Sequence, residues 1–285
     1  VKNLHFYYNK NAHIIKNVSM NIEKHKVTAL IGPSGCGKTT IMRAIAGFEP
    51  VVSGQISLRD SVVTQAGSQQ SPEQRRVAMV FQDFALFPHL NIADNIAFGL
   101  KGDSSQARHA RVQELLSLVG LAGIEQRYPH ELSGGQQQRI DIVRALACEP
   151  SLLLFDEAFS NIDPQFRFEL IADIRVLLKA QNIAALFVTH NQDEAFAFCD
   201  RIAILNDGKI DQIGRAEDLF AVPSSRFVAE FLGDGVWLEA SVAGERQLKS
   251  EFGDIHYTGE APLPCDTNKK VDLYLRPHQL TLIAD

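Results

Sequence analysis

The run Gly32-Pro33-Ser34-Gly35-Cys36-Gly37-Lys38-Thr39-Thr40 constrains this chain more than any other feature. It fits the pattern G-x-x-x-x-G-K-[ST], and it stands in the context where that pattern has a mechanism. The apolar run Val27–Ile31 ahead of it reads as a buried strand, and Lys38–Ala46 after it reads as a helix. A strand, a glycine-rich turn and a helix, in that order, turn several backbone N–H groups toward one point. The helix N-terminus adds its dipole and its unpaired donors. Such a turn holds phosphate: Lys38 is placed to reach β- and γ-phosphates, and the Thr39 hydroxyl to bind a Mg²⁺ ion. The same residues could form a glycine-rich turn that binds nothing, but the strand and the helix weigh against it.

A phosphate loop of this kind needs an acidic partner for the metal. The apolar stretch 152–155 supplies one, since it runs into Asp156 and Glu157. Asp156 is the expected metal ligand, and Glu157, one residue further, can orient or deprotonate an attacking water. Short apolar runs at 77–81, 184–188 and 202–205 read as further strands. Val112, Leu115, Leu116 and Val119 recur at helical spacing with Gly120 as a stop, and Leu170, Ile174 and Leu177 do so after Pro164. Strands alternating with helices predict an α/β fold on a mainly parallel sheet. The stretch 86–150 reads as a helical subdomain inserted between two strands. The polar stretch 61–74 reads as a loop. Beyond residue 233 the pattern turns to short strand-like pieces at 237–242, 255–257, 271–275 and 280–283. The expected organisation is a nucleotide-binding domain over 1–232 and a small all-β domain over 233–285.

The 285 residues carry 28 Lys+Arg against 34 Asp+Glu, a net charge of −6, which argues against a general nucleic-acid binder. No apolar run approaches the roughly 18–20 residues that span a bilayer, and no secretory signal opens the sequence. Cys36, Cys148, Cys199 and Cys265 are scattered, with neither Cys-x-x-Cys spacing nor a histidine at ligand distance in the sequence. No zinc site or disulfide framework is indicated, and the expected compartment is reducing, most simply the cytoplasm.

Between the phosphate loop and the Asp156-Glu157 strand lies Leu132-Ser133-Gly134-Gly135-Gln136-Gln137-Gln138-Arg139. Here the chain resembles the ATP-binding-cassette (ABC) ATPases, whose signature is Leu-Ser-Gly-Gly-Gln. Phosphate loop, signature and Asp-Glu strand stand in the family's order and spacing, and the resemblance covers roughly residues 1–232. It implies a phosphate-loop ABC cassette with an inserted helical subdomain, ATP and Mg²⁺ as ligands, and head-to-tail pairing of two cassettes. The signature of one, Ser133, Gly134, Gly135 and Gln136, would then close over the γ-phosphate held by the other. By the same resemblance Gln82 approaches Mg²⁺ and the attacking water, and its loop receives the membrane partner. His190 contacts the γ-phosphate, Asp163 contacts the opposite subunit, and Tyr8, with Tyr7 as the alternative, stacks on adenine. Two positions depart from the family pattern. Ala158 replaces a proline and could loosen the turn carrying Glu157. Asp141 replaces a small apolar residue and needs solvent or a partner.

The loop 82–90, the residues after His190 and the stretch 201–214 look like the importer branch. The β tail, with Leu275-Arg276-Pro277-His278, resembles the oligonucleotide-fold-like domain of importer ATPases for ferric iron, polyamines, sulfate and sugars. The resemblance therefore implies an ATPase subunit peripheral to the cytoplasmic face of a bacterial inner membrane. It would work with separate permease subunits and, indirectly, a substrate-binding protein. The short tail tilts the substrate toward an inorganic ion such as ferric iron. The alternative is a soluble ABC ATPase acting on nucleic acid or ribosomes. Such proteins carry two cassettes or a long coiled coil, and this chain has neither. A small-molecule kinase is the third reading, against which the signature argues.

Overall fold

The computed structural model describes residues 1–7, 13–100, 104–256 and 267–277. By contacts the chain divides into two compact units, Val1–Leu219 and Phe220–Asp285.

The first unit is organised by a six-stranded sheet. Its strands run in the order Lys209–Gly214, Arg201–Asn206, Val27–Ile31, Ala184–Val188, Leu152–Asp156, Val77–Val80. The first pair is antiparallel and all the others are parallel. Every residue of Val27–Ile31 is buried, and Leu152 to Phe155 likewise. Strands covered on both faces need apolar side chains on both, which is why they read as continuous apolar runs. Phe155, Phe159, Phe187 and Phe198 pack mostly edge-on, with ring centroids 5.1–6.3 Å apart. Three of these rings stand within three residues of Asp156 or His190, so the ends of both site strands are anchored in that cluster.

A second sheet, five-stranded and antiparallel, has the order His13–Val18, Lys2–Tyr7, Ser53–Leu58, Ser61–Gln65, Ser68–Gln69. The stretch 61–74, read from sequence as a loop, therefore forms two strands and a short 3₁₀ turn. The reason is a small buried face: only Val63 and Thr64 of Ser61–Gln65 are enclosed, while Ser61, Val62 and Gln65 stay exposed. The buried guanidinium of Arg75 ties that face to the phosphate-loop helix Lys38–Ala46. It donates to Thr64 Oγ1 at 2.7 Å and to the carbonyls of Ala44 and Ile45 at 2.8 Å each. Carbonyls of a last helical turn lack intrahelical partners, and here a buried cation satisfies them.

The stretch 86–150 is helical, with Ile92–Ala97, Ser105–Leu118 and Gly134–Ala147 and no strand among its described residues. Each helix starts on a side-chain cap: Asn91, Ser104 and Ser133 accept from Asp94, Ala107 and Gln136. Helix Pro164–Ala180 starts at Asp163 with proline in its first turn.

The second unit holds an antiparallel sheet in the order Gly253–His256, Gln247–Ser250, Val236–Gly244, Lys270–Leu275 over a small core of Ala240, Val242 and Leu248. The expected boundary at 232/233 falls inside this unit, because the residues ahead of the sheet pack onto it. Trp237 Nε1 donates to Glu230 at 2.6 Å and the Tyr274 hydroxyl to the Gly233 carbonyl at 2.6 Å. The Arg276 guanidinium lies 3.6 Å from the Phe220 ring centroid. Positions 278 and 280–283 and Cys265 lie outside the described residues.

Candidate functional site

The phosphate loop leaves the C-terminal end of Val27–Ile31 and enters the helix at Lys38. Two of its glycines are sterically required. Gly32 has φ +155°, and a Cβ there would overlap the Leu205 carbonyl. Gly37, at φ +109°, is the left-handed N-cap, and a Cβ would strike Ile15. Lys38 is buried, and its Nζ donates to the carbonyls of Gly32 at 2.8 Å and Pro33 at 2.9 Å. The ammonium is thus folded back over the loop whose amides would face phosphate. Cys36 Sγ lies 4.0 Å from the same Nζ, and burial raises its thiol pKa despite the nearby ammonium. Thr39 is exposed at the loop's mouth.

Asp156 ends its strand, and Glu157 opens the following turn at φ +49°. A non-glycine residue holds that conformation only when its surroundings fix it. Glu157 N–H donates to the Val188 carbonyl at 2.9 Å, and Ser160 returns its N–H and Oγ to the Glu157 carbonyl at 3.1 and 2.7 Å. Ala158 and Phe159 are fully buried beneath. The turn is therefore closed by hydrogen bonds and burial without the proline. The outcome is a carboxylate aimed at the next strand's end: His190 Nδ1 stands 3.3 Å from Glu157 Oε2. Burial, and then the charge of Glu157, raise the Asp156 pKa, opposed by Arg43 and Lys38. Crowded carboxylate oxygens at a strand end suit Mg²⁺, which takes one or two protein oxygens and completes its shell with phosphate and water. Asp156 and Thr39 fit that ion. Among the described residues no cluster of three His, Cys, Asp or Glu could bind a metal unaided.

Sequence reasoning missed how the surrounding loops are tied together. Glu194, almost wholly buried, accepts from Thr189 Oγ1 at 2.7 Å and from Arg167 Nη1 at 3.1 Å. Arg167 Nη2 reaches on to the carbonyls of Ser160 at 3.3 Å and Ile162 at 2.9 Å. The loop before Asp163 and the loop carrying His190 are thus one hydrogen-bonded piece. Asn161 Nδ2 donates to the Gln82 carbonyl at 3.0 Å and to Asp83 Oδ1 at 3.1 Å, which brings in the loop of Gln82. Gln82 itself is exposed. Beyond it, the fully buried Asn95 accepts from Phe87 N–H at 2.8 Å and donates to the carbonyls of Phe87, Leu90 and Asn91 at 3.0–3.1 Å. The spacing of these ties carries no periodic signal, because their partners are backbone groups or side chains distant in the sequence.

The signature begins its helix as expected. Ser133 and Gln136 form a reciprocal cap, Gln136 N–H to Ser133 Oγ at 3.4 Å and Ser133 N–H to Gln136 Oε1 at 3.1 Å. The Gly134 and Gly135 amides stand at the helix N-terminus, where the dipole favours an anion. Ser133, Gly135, Gln136, Asp163, Phe166 and Leu170 line one open cavity of about 660 Å³. The signature and Asp163 are thus brought to the same face. Tyr8 lies outside the described residues. Tyr7 is described, and its ring stacks on His13 with centroids 4.0 Å apart. The partner required by Asp141 is Arg144, whose Nη2 lies 2.6 Å from Oδ1.

Residues 15–160 match the ABC transporter family. The chain is 42 % identical over 287 residues to the Fe(3+) ions import ATP-binding protein FbpC of Mesorhizobium japonicum, covering 99 % of this chain and 76 % of that protein. It is 44 % identical over 234 residues to the sulfate/thiosulfate import ATP-binding protein CysA 2 of Chromobacterium violaceum, covering 82 % of this chain but 63 % of that protein. Among solved structures, cbiO1 from Clostridium perfringens, part of the ABC transporter complex cbiONQ, superposes with a TM-score of 0.72 at 26 % identity. The match covers 79 % of this chain and 90 % of that one.

Proposed function

The chain belongs to the ABC transporter family, and we propose that it is the ATP-hydrolysing subunit of an import system that takes up an inorganic ion, with ferric iron as the substrate. The observation that carries the chemistry is the Glu157–His190 pair, 3.3 Å apart at the ends of neighbouring parallel strands. On this reading the phosphate-loop amides and Lys38 bind the β- and γ-phosphates of ATP, with Lys38 exchanging the Gly32 and Pro33 carbonyls for phosphate oxygens. Glu157 takes a proton from the attacking water as the water oxygen bonds to the γ-phosphorus and the bond to ADP breaks. His190 positions Glu157 and faces the γ-phosphate, and Gln82 orients the water. Mg²⁺, held by Thr39 and Asp156, would neutralise charge on the β- and γ-oxygens. Tyr8 is assigned to the adenine ring.

The amides of Ser133, Gly134 and Gly135, with Gln136 and Asp163, act on the nucleotide of a second copy in a head-to-tail dimer. Binding then closes the pair and hydrolysis releases it. No described helix is long and apolar enough to cross a membrane, so the transport path belongs to separate permease subunits. The chain sits at the cytoplasmic face of the inner membrane beside them, and a substrate-binding protein delivers the ion from the other side. Ferric iron rests on the Fe(3+) ions import relative that the chain matches over 99 % of its length; a sulfate/thiosulfate import relative matches it over as much, which is why both ions enter the test.

The test is uptake in the native host, with and without the gene for this chain, using labelled ferric iron and labelled sulfate. Loss of iron uptake alone supports the reading. Loss of sulfate uptake alone moves the substrate but keeps the mechanism. Unchanged uptake of both, with the chain recovered on ribosomes, overturns the transport role.

A further inference from the structure

Asp141 stands on the inner face of the signature helix Gly134–Ala147 and is wholly enclosed. A buried carboxylate costs several kcal/mol unless a partner offsets it, and a small apolar side chain would avoid that cost. Its partner is Arg144, one helical turn on, with Nη2 to Oδ1 at 2.6 Å. The other guanidinium nitrogen, Nη1, donates to the Ala85 carbonyl in the loop that follows Gln82. The same guanidinium lies 5.6 Å from the Phe87 ring centroid. The Ala85 backbone also favours the ionised form of the Asp141 carboxylate, whose second oxygen, Oδ2, is buried without a hydrogen-bond partner. The Phe84 ring also stands over the first turn of this helix, 3.7 Å from where a Cβ on Gly134 would sit. The loop is thus gripped at Arg144 and lies along the helix back to residue 134, roughly 15 Å away along the axis.

We propose that Asp141 is a positioning residue: by fixing Arg144 on Ala85 it makes the loop after Gln82 and the signature helix move as one piece. Displacement of residues 84–87 then carries the Ser133–Gln136 amides with it. An arginine with no carboxylate beside it keeps several rotamers, and Ala85 loses its grip in most of them. Asp141 touches neither nucleotide nor water, so its contribution is to transmission and not to the chemical step. The inference rests on the reading that this loop meets the membrane subunits.

The test compares the full chain with Asp141→Ala and Asp141→Asn, since asparagine keeps one acceptor oxygen for Arg144. In the isolated chain, hydrogen exchange over 84–90 should quicken roughly tenfold in Asp141→Ala and return close to the parent rate in Asp141→Asn. The KM for ATP and the basal rate should stay as in the parent. In the complex with its permease, stimulation of ATP hydrolysis should fall roughly tenfold in the alanine variant alone. Parent-like exchange in Asp141→Ala overturns the proposal. So does faster exchange spread over the whole helical subdomain, which marks a merely structural residue. If the exchange pattern holds but no membrane subunit stimulates even the parent, the transport reading falls and the positioning role stands.

Discussion

Glu157 shows how much of this site is decided at a single residue. Its left-handed backbone is held by Val188 and Ser160, and its carboxylate meets His190. Glu157→Gln keeps the shape and the hydrogen bonding but removes the proton acceptor. The expected result is an ATPase rate lower by roughly 10²–10⁴-fold, with nucleotide affinity unchanged in equilibrium binding. A variant that hydrolyses ATP at the parent rate would remove Glu157 from the mechanism. Asp141 makes a different prediction, about stability. Burial, opposed by Arg144, pushes its pKa up to about 6 from 3.8. The folded chain then binds this proton more tightly than the unfolded chain. Stability attributable to Asp141 is highest below pH 3.8 and declines as pH rises toward 6. It stays lower above that, by on the order of 3 kcal/mol. Asp141→Asn should remove that slope, so urea unfolding at pH 5 and pH 8 should give a smaller difference for the variant than for the parent. Equal differences would mean that the carboxylate ionises as it does in water.

At the scale of elements, the parts that could be read from sequence are those whose physical requirement is local. Val27–Ile31 and the strand ending at Asp156 are buried on both faces and had to be apolar throughout. The Ser133–Gln136 cap is fixed by residues three positions apart, and the phosphate loop is legible from its own spacing although its glycines are enforced by Leu205 and Ile15. The five-stranded sheet was not legible in the same way. Ser61–Gln65 and Ser68–Gln69 bury too few side chains to leave an alternating pattern, and the group that anchors them, Arg75, bonds to carbonyls far away in the chain. The Asn95 tie was hidden because a backbone carbonyl has no sequence of its own, and Arg167–Glu194 because its two side chains stand 27 positions apart. Asn95 still yields a sharp expectation. It serves three carbonyls and one N–H of the loop 87–91 from a fully buried position. Asn95→Ala takes away the side-chain partner of the Phe87 N–H and the Leu90 carbonyl, while the Asn91 and Phe87 carbonyls keep backbone donors, and should cost roughly 2–3 kcal/mol in chemical denaturation. The opening should be confined to that loop in hydrogen exchange. A loss below about 0.5 kcal/mol would mean that water replaces the latch without penalty.

At the scale of the whole molecule, the open question is whether one chain holds a complete site. The phosphate loop, Asp156, Glu157 and His190 converge at strand ends of the central sheet, whereas Ser133, Gly135 and Asp163 line a cavity of their own. A helix N-terminus with free amides facing an open cavity can receive phosphate only from outside its own loop, if the two halves serve different nucleotides. Two damaged chains decide this. Lys38→Ala removes the charge of the phosphate loop, and Gly135→Asp places a carboxylate where the signature would meet the γ-phosphate. Each alone should be inactive. In a head-to-tail dimer of the two, one site carries both lesions and the other carries neither. An equal mixture, allowed to exchange subunits, should regain activity up to roughly a quarter of the parent's. If each chain instead completes its own site, every site in the mixture keeps one lesion and nothing is regained. Recovery on mixing would therefore assign the signature to the partner's nucleotide.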